Sequence, residues 1–318
     1  MVVVILTVTM NPAYDMTYRV ERFERGQAHR VRSVEQRIGG KGINVTRVLN
    51  QLGKYSRATG FSDHAFAAVA ELEMPVDFVH ALPWVRRTVV ISESEDGTAT
   101  ALWEPGARVS NPHAAEQLAV RVAGLLPDID GLVISGSLPA GIDPALPAEI
   151  ARTAIAADVP TICDVDGEAL RLAAQVPGIV LMPNSAELHR LTGAEPKTAA
   201  DVVTAAYPLI DWGVRAVIAT RGAQGVVTVT ADGAWSAVLP EPLAGNPIGA
   251  GDSATAAVIA ALSTETAPDW PAILTDAVAT SASSIVIPVA GEIDRGLRAR
   301  IAPTVRVEHL DLPTRAQP

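Results

Sequence analysis

The chain has 318 residues, with 25 Lys and Arg against 35 Asp and Glu for a formal net charge of −10, and is 48% hydrophobic and 19% charged. That composition builds a core and not a disordered chain, and the acidic balance argues against a general nucleic-acid binder, which carries a basic stripe. Cys163 is the single cysteine, which excludes an intramolecular disulfide framework and any multi-cysteine zinc or iron–sulfur site.

The opening residues, Met1-Val2-Val3-Val4-Ile5-Leu6-Thr7-Val8, have no basic n-region and no cleavage site. Val2–Val8 therefore reads as a buried first strand and not as a signal peptide. Asp15–Arg37 is polar, with Arg19, Arg22, Arg25, Arg30, Arg32 and Arg37 spaced through strand-like residues. Arg86–Pro105 reads as a hairpin: Arg86–Ile91, a turn around Asp96-Gly97, then Thr98–Trp103. Short apolar runs at Gly131–Ser135, Pro160–Asp164, Ile179–Met182 and Ala216–Ala219 predict strands buried on both faces. His113–Leu126, Ala145–Ala157 and Ala199–Trp212 predict the helices between them. This alternation predicts an α/β fold, a mainly parallel sheet with helices on both faces. Asp15–Arg37 and Arg86–Pro105 break the rhythm, and pattern alone leaves them as either a small second sheet or ordinary surface decoration. No apolar run approaches the ~20 residues that span a bilayer, so a cytoplasmic protein with no membrane or nucleic-acid partner is expected. The five tryptophans are scattered and are expected as core or lid anchors.

The most informative stretch is Pro247-Ile248-Gly249-Ala250-Gly251-Asp252-Ser253, which opens a helix whose apolar positions are Ala254, Ala257, Val258, Ala261 and Leu262. Glycines at a helix start leave backbone N–H groups free and let an anion approach closely. A carboxylate beside such a hole suits removal of a proton from a hydroxyl that attacks a phosphoryl group. A plain turn with Asp252 as a cap is the competing reading. The same residues satisfy G-x-G-x-x-A, the dinucleotide fingerprint of a nicotinamide oxidoreductase, but no second strand follows Leu262 as that motif requires.

Gly39-Gly40-Lys41-Gly42-Ile43-Asn44 opens another helix with Val45, Val48, Leu49 and Leu52 on its apolar face; it is an anion or sugar site, or a flexible turn with a solvated lysine. Asp15 follows the first strand, where ligands gather in parallel sheets, and also suits a turn. Ser135-Gly136-Ser137 ends another strand. Asn184 and Glu187 suit either a helix cap or a magnesium site working through waters and substrate phosphates. Thr220-Arg221-Gly222-Ala223-Gln224-Gly225 is a glycine-punctuated loop. Neither Ser137 nor Cys163 has a sequence-evident base, so no nucleophilic triad is read.

Taken in order, Thr7–Asp15, Gly39–Val45, Gly136–Gly141, Pro183–Glu187, Thr220–Gly225 and Gly249–Ser253 resemble the PfkB/ribokinase family of sugar kinases, with the 1-phosphofructokinase and tagatose-6-phosphate kinase branch as the best match. The resemblance covers essentially the whole chain. It implies one ribokinase-like kinase domain over residues 1–318, with a small β lid from residues of about 12–37 and 84–106 that serves a homodimer. It implies Mg²⁺-dependent phosphorylation of a ketohexose phosphate by ATP, fructose 1-phosphate being favoured over fructose 6-phosphate or tagatose 6-phosphate. Asp252 matches the family's base, and Gly249, Ala250 and Gly251 its anion hole. Asp15, Gly39, Gly40, Lys41, Asn44 and Ser137 match the sugar-phosphate site, with Arg86 for the substrate phosphate. Asn184, Thr220, Gly222, Gly225 and Gly251 match the nucleotide site, and Glu187 the magnesium position.

The chain departs from that pattern at four places. Met182 stands where the branch carries lysine, Pro247 replaces threonine, Thr88 replaces asparagine, and Ser62-Asp63-His64 shortens a loop after Phe61. Arg221 is a candidate replacement for the charge lost at Met182. The departures at Met182, Pro247 and the shortened loop keep a second expectation in view, a non-catalytic sugar-phosphate or nucleotide sensor on the same fold.

Overall fold

β-Branched residues alternate inward and outward along each apolar run, so every buried strand needs cover on both sides. The computed structural model describes residues 3–95, 97–109, 111–264 and 267–313. Val2 and Asp96, which the sequence places in the first strand and the hairpin turn, lie outside the described residues.

In chain order the strands are β1 (Val4–Thr9), β2 (Ala13–Val20), β3 (Ser33–Gly39), β4 (Tyr55–Ser62), β5 (Val76–His80), β6 (Arg86–Glu93), β7 (Ala99–Trp103), β8 (Gly131–Ser135), β9 (Thr161–Asp164), β10 (Val180–Leu181), β11 (Ala216–Thr220), β12 (Val226–Thr230), β13 (Ala234–Val238) and β14 (Arg306–Leu310). The helices are α1 (Lys41–Gln51), α2 (His64–Glu71), α3 (Ala114–Leu125), α4 (Leu146–Ala156), α5 (Gly167–Ala173), α6 (Ser185–Thr192), α7 (Ala199–Asp211), α8 (Ala250–Leu262), α9 (Trp270–Ile285) and α10 (Arg295–Ile301).

Among the described residues the large sheet has ten strands in the order β14-β13-β12-β11-β10-β9-β8-β1-β4-β5. It is parallel from β5 to β11, as the sequence predicts, and β12, β13 and β14 extend it antiparallel. Leu6 and Val8 of β1 enter one core with Leu132, Ile134, Cys163 and Leu181, while Ile5 enters the other with Val133, Ile162 and Val180. The second core is closed by α1, α8 and α9. There α8 is wedged between α1, α9 and the sheet, so Asp252 through Ala260 are buried all round, not along one stripe.

The two irregular segments form a separate four-stranded sheet, β3-β2-β6-β7, with β2 and β6 parallel. Surface decoration is thereby excluded for them. Of the tryptophans, only Trp270 is buried; Trp84, Trp103 and Trp212 are exposed, so core anchoring fails for those three. No helix among the described residues is long and apolar enough to cross a membrane.

This topology places the site. Strand order reverses at β1, which pairs with β4 on one side and β8 on the other. Ligands in open parallel sheets gather outside the carboxyl ends of strands at such a switch. The chain segments leaving β1, β8, β9, β10 and β11 all open there, and the small sheet stands over them.

Candidate active site

A cavity of about 600 Å³ runs along those strand ends. Asp15, Gly40, Lys41, Asn44, Arg86, Ser137, Asn184, Glu187, Thr220, Gly249, Gly251 and Asp252 all line it. A second cavity of about 370 Å³ adjoins it, sharing Thr220, Pro247 and Gly251 and reaching Gly222, Gly225 and Ala250. Twelve of the residues singled out in the sequence thus converge on one cleft from segments that are remote in the chain.

Asp252 sits in the first turn of α8, which Gly249 enters with φ +84°. A Cβ there would lie 2.8 Å from the Cβ of Ala290, so both space and backbone demand glycine. The carboxylate makes no capping bond, which removes the reading of Asp252 as a helix cap. Instead Asn44 Nδ2 donates to Asp252 Oδ2 at 2.8 Å. Burial pushes the carboxyl up to about 6, with Lys41 and the Asn44 hydrogen bond pulling down against it and Asp15 adding to the rise. The amide of Ala250 is spent on the carbonyl of Pro247 at 3.2 Å. That corrects the expected anion hole: Ala250 is engaged, and the amides one and two residues further on are the first-turn donors without an intrahelical acceptor.

At the small-sheet end, Asp15 on β2 faces Arg86 on β6. Burial raises Asp15 to about 6, opposed by Arg47, Arg86, Arg37 and a hydrogen bond from the Thr88 hydroxyl. Gly39 lines neither cavity; a Cβ there would overlap the Asp15 carboxylate, so it makes room for Asp15 and does not itself face the cleft. Gly40, at φ +112°, would set a Cβ 2.8 Å from Thr9 Cγ2. Arg86 donates to the carbonyls of Asn11 at 3.3 Å and Glu104 at 3.4 Å, and its buried Nε has no partner. Ser137 Oγ accepts from Asn11 Nδ2 at 3.3 Å.

At the far end, Asn184 and Glu187 form a reciprocal capping box at the start of α6: Asn184 Oδ1 accepts from the Glu187 amide at 2.9 Å, and Glu187 Oε2 from the Asn184 amide at 2.8 Å. Capping and ligand binding are compatible here, because both residues also line the cavity and Glu187 retains its second carboxylate oxygen. No group of three or more His, Cys, Asp or Glu among the described residues is arranged to hold a metal ion. One carboxylate oxygen beside an anion site fits magnesium, which keeps waters and leans on substrate phosphates. The second cavity is walled by Val226, Leu239, Leu243, Val278, Ala282 and Ile285, an apolar slot.

Three charged residues that the sequence reading did not single out as site residues line the main cavity: Asp164, Asp166 and Arg190. Asp164 ends β9, and the rule that selects Asp15 after β1 selects it equally. Arg221 turns away, its Nη2 donating to the carbonyl of Lys197 at 2.8 Å, so it does not replace the cation missing at Met182. Asp63 caps α2 through the Phe66 amide at 2.7 Å, giving the shortened loop a structural role.

A model of the pfkB family carbohydrate kinases matches residues 3–292. Among solved structures, phosphofructokinase-2 from Escherichia coli is 26% identical over 95% of this chain and 99% of its own, with TM-scores of 0.82 in complex with fructose-6-phosphate and 0.83 in a tetrameric inhibited form. A protein described as a possible 1-phosphofructokinase from Thermotoga maritima has a TM-score of 0.86 at 24% identity, covering 97% of this chain and 100% of that one. Ribokinase from Arabidopsis thaliana, complexed with ribose and ATP, shares the fold at a TM-score of 0.70 and 21% identity, over 95% of this chain and 99% of that one.

Proposed function

Because the chain belongs to the pfkB family of carbohydrate kinases and is a sugar kinase that phosphorylates a hydroxyl, we propose that it transfers the terminal phosphoryl group of ATP to a ketohexose phosphate, with Asp252 as general base. The observation that carries this reading is a buried carboxylate at a glycine-opened helix start, held by Asn44 and facing the cavity. The acceptor lies between Asp15, Gly40, Asn44 and Ser137, with Arg86 toward its phosphate. Fructose 1-phosphate is the favoured acceptor, and fructose 6-phosphate and tagatose 6-phosphate are the alternatives. ATP lies along Thr220, Gly222 and Gly225 with its base in the apolar slot.

Asp252 takes the proton from the acceptor hydroxyl, and the first-turn amides of α8 meet the charge on the transferring group. Glu187, with Asn184 beside it, would hold Mg²⁺ through waters; the ion supplies charge neutralisation for the phosphates. The small sheet acts as a lid that excludes water from the cleft. Its exposed Val34 and Leu102 support a homodimer through that sheet, and the reading places the protein in the cytoplasm. The sensor alternative draws support only from Met182 and Pro247, since a buried carboxylate, a glycine-opened helix start and a cavity are all present.

A coupled ADP-release assay with Mg-ATP across ketose and aldose phosphates tests the proposal. Turnover of one ketose phosphate supports it. Silence across the panel with ATP still bound contradicts it and favours the sensor.

A further inference from the structure

We propose that Arg190, one turn on from Glu187 in α6, binds the phosphate tail of the nucleotide on the side turned away from α8; this rests on the kinase reading given above. α6 follows the end of β10, and Asn184, which caps it, bridges to Thr220 at the end of β11. Thr220 is shared by the two cavities, so α6 begins at the passage between them.

Two helices face that passage from opposite sides of the sheet. Leu188 of α6 belongs to one core, and Ala254, Ala257 and Val258 of α8 belong to the other. The start of α8 offers amides to one side of an anion lying across the strand ends. The other side is met by α6. Glu187 and Arg190 are three residues apart, Ala186 and Arg190 four, so the three share one helix face, and all line the main cavity. A long side chain on a helix leans back toward the N-terminus. That direction carries the guanidinium over the turn of Ala186, whose methyl leaves it room, and away from the last carbonyls of α6.

The guanidinium is also uncommitted. Arg190 makes no hydrogen bond or ion pair among the described residues, and Glu187 Oε2 is taken by the Asn184 amide. The other cations lining the cavity are engaged, Lys41 with Asp164 and Arg86 with the carbonyls of Asn11 and Glu104. Five carboxylates line the same cavity, those of Asp15, Asp164, Asp166, Glu187 and Asp252. A triphosphate entering there meets an excess of negative charge, and a free planar fork of donors that matches phosphate oxygens in pairs offsets it.

The experiment measures binding of ATP, inorganic tripolyphosphate and adenosine by calorimetry, and kcat with both KM values, for Arg190→Gln, Arg190→Lys and Arg306→Gln. Arg190 is exposed, so its replacement leaves the core intact. Arg306 lies in β14, the far edge of the large sheet, and its variant removes the same charge away from the cleft. Arg190→Gln is expected to weaken ATP and tripolyphosphate about tenfold, with adenosine binding and acceptor KM within about twofold of wild type. Arg190→Lys keeps the charge without the fork and is expected to fall between the two. Arg306→Gln is expected to leave all of these unchanged. ATP bound by Arg190→Gln within about twofold of wild type, or adenosine and acceptor weakened as much as ATP, overturns the proposal. A wild type that turns over no acceptor overturns the kinase reading beneath it, and the calorimetric comparison still decides Arg190. A wild type that binds no ATP overturns both.

Discussion

The side-chain amide of Asn44 donates to the carboxylate of Asp252 at 2.8 Å, across 208 positions of sequence. This single bond ties the start of α1 to the start of α8, joining the helix start proposed to meet the acceptor to the one that carries the proposed base. It also lowers a pKa that burial has raised, favouring the ionised carboxylate at neutral pH. Removing it by Asn44→Ala should move the acidic limb of the kcat/KM profile to higher pH. A limb at the wild-type position would count against that coupling.

Asp252 and Asp15 both titrate near 6 in the folded protein. Protonated Asp252 cannot accept the hydroxyl proton, and protonated Asp15 loses its acceptor charge. The kcat/KM of the wild type is therefore expected to fall as pH drops below about 6, with a logarithmic slope exceeding one. A flat profile down to pH 5 would contradict it.

The same shift has a stability consequence of opposite appeal. The folded carboxyl of Asp252 binds its proton more tightly than the ordinary value of 3.8, so this group's contribution to stability falls as pH rises from about 4 through about 6. Asp252→Asn removes the cost of the buried charge. At pH 7.5 the variant should be more stable than wild type by about 1–3 kcal/mol, and near pH 4 the difference should vanish. Chemical denaturation at both pH values checks it.

Much of this could be read from the chain because the signals are local. β8, β9 and β11 are continuous apolar runs, and the three predicted helices match to within a residue or so at each end. The hairpin of β6 and β7 shows itself by alternation around a glycine turn. What could not be read is tertiary. The strand-end rule selects Asp164, but its partner is beyond any local signal, because α1 sends Lys41 across two strands to it. Arg221 follows a strand end in sequence but is captured by the Lys197 carbonyl. Gly39 looks like part of an anion loop, and its role is the space it leaves for Asp15.

That space yields a further prediction. Gly39→Ala sets a methyl group into the Asp15 carboxylate, which must move away from the acceptor. Acceptor KM should rise about tenfold or more, while ATP affinity stays within about twofold. Equal weakening of both ligands would show a general distortion instead.

Gly249→Ala asks a residue with a side chain to hold φ +84° and meets Ala290 at 2.8 Å. Strain of about 1–3 kcal/mol should appear as lost stability, and α8 should lose its hold on the transferring group. A thermal melt and kcat measured together test this; an unchanged kcat would show that the helix start tolerates the shift.

The most direct test of the account is Asp252→Asn assayed with the best acceptor, with ATP affinity measured alongside. The account predicts a kcat lower by about 10²–10⁴ with ATP bound as in the wild type. A variant that turns over within about threefold of wild type would contradict Asp252 as the base.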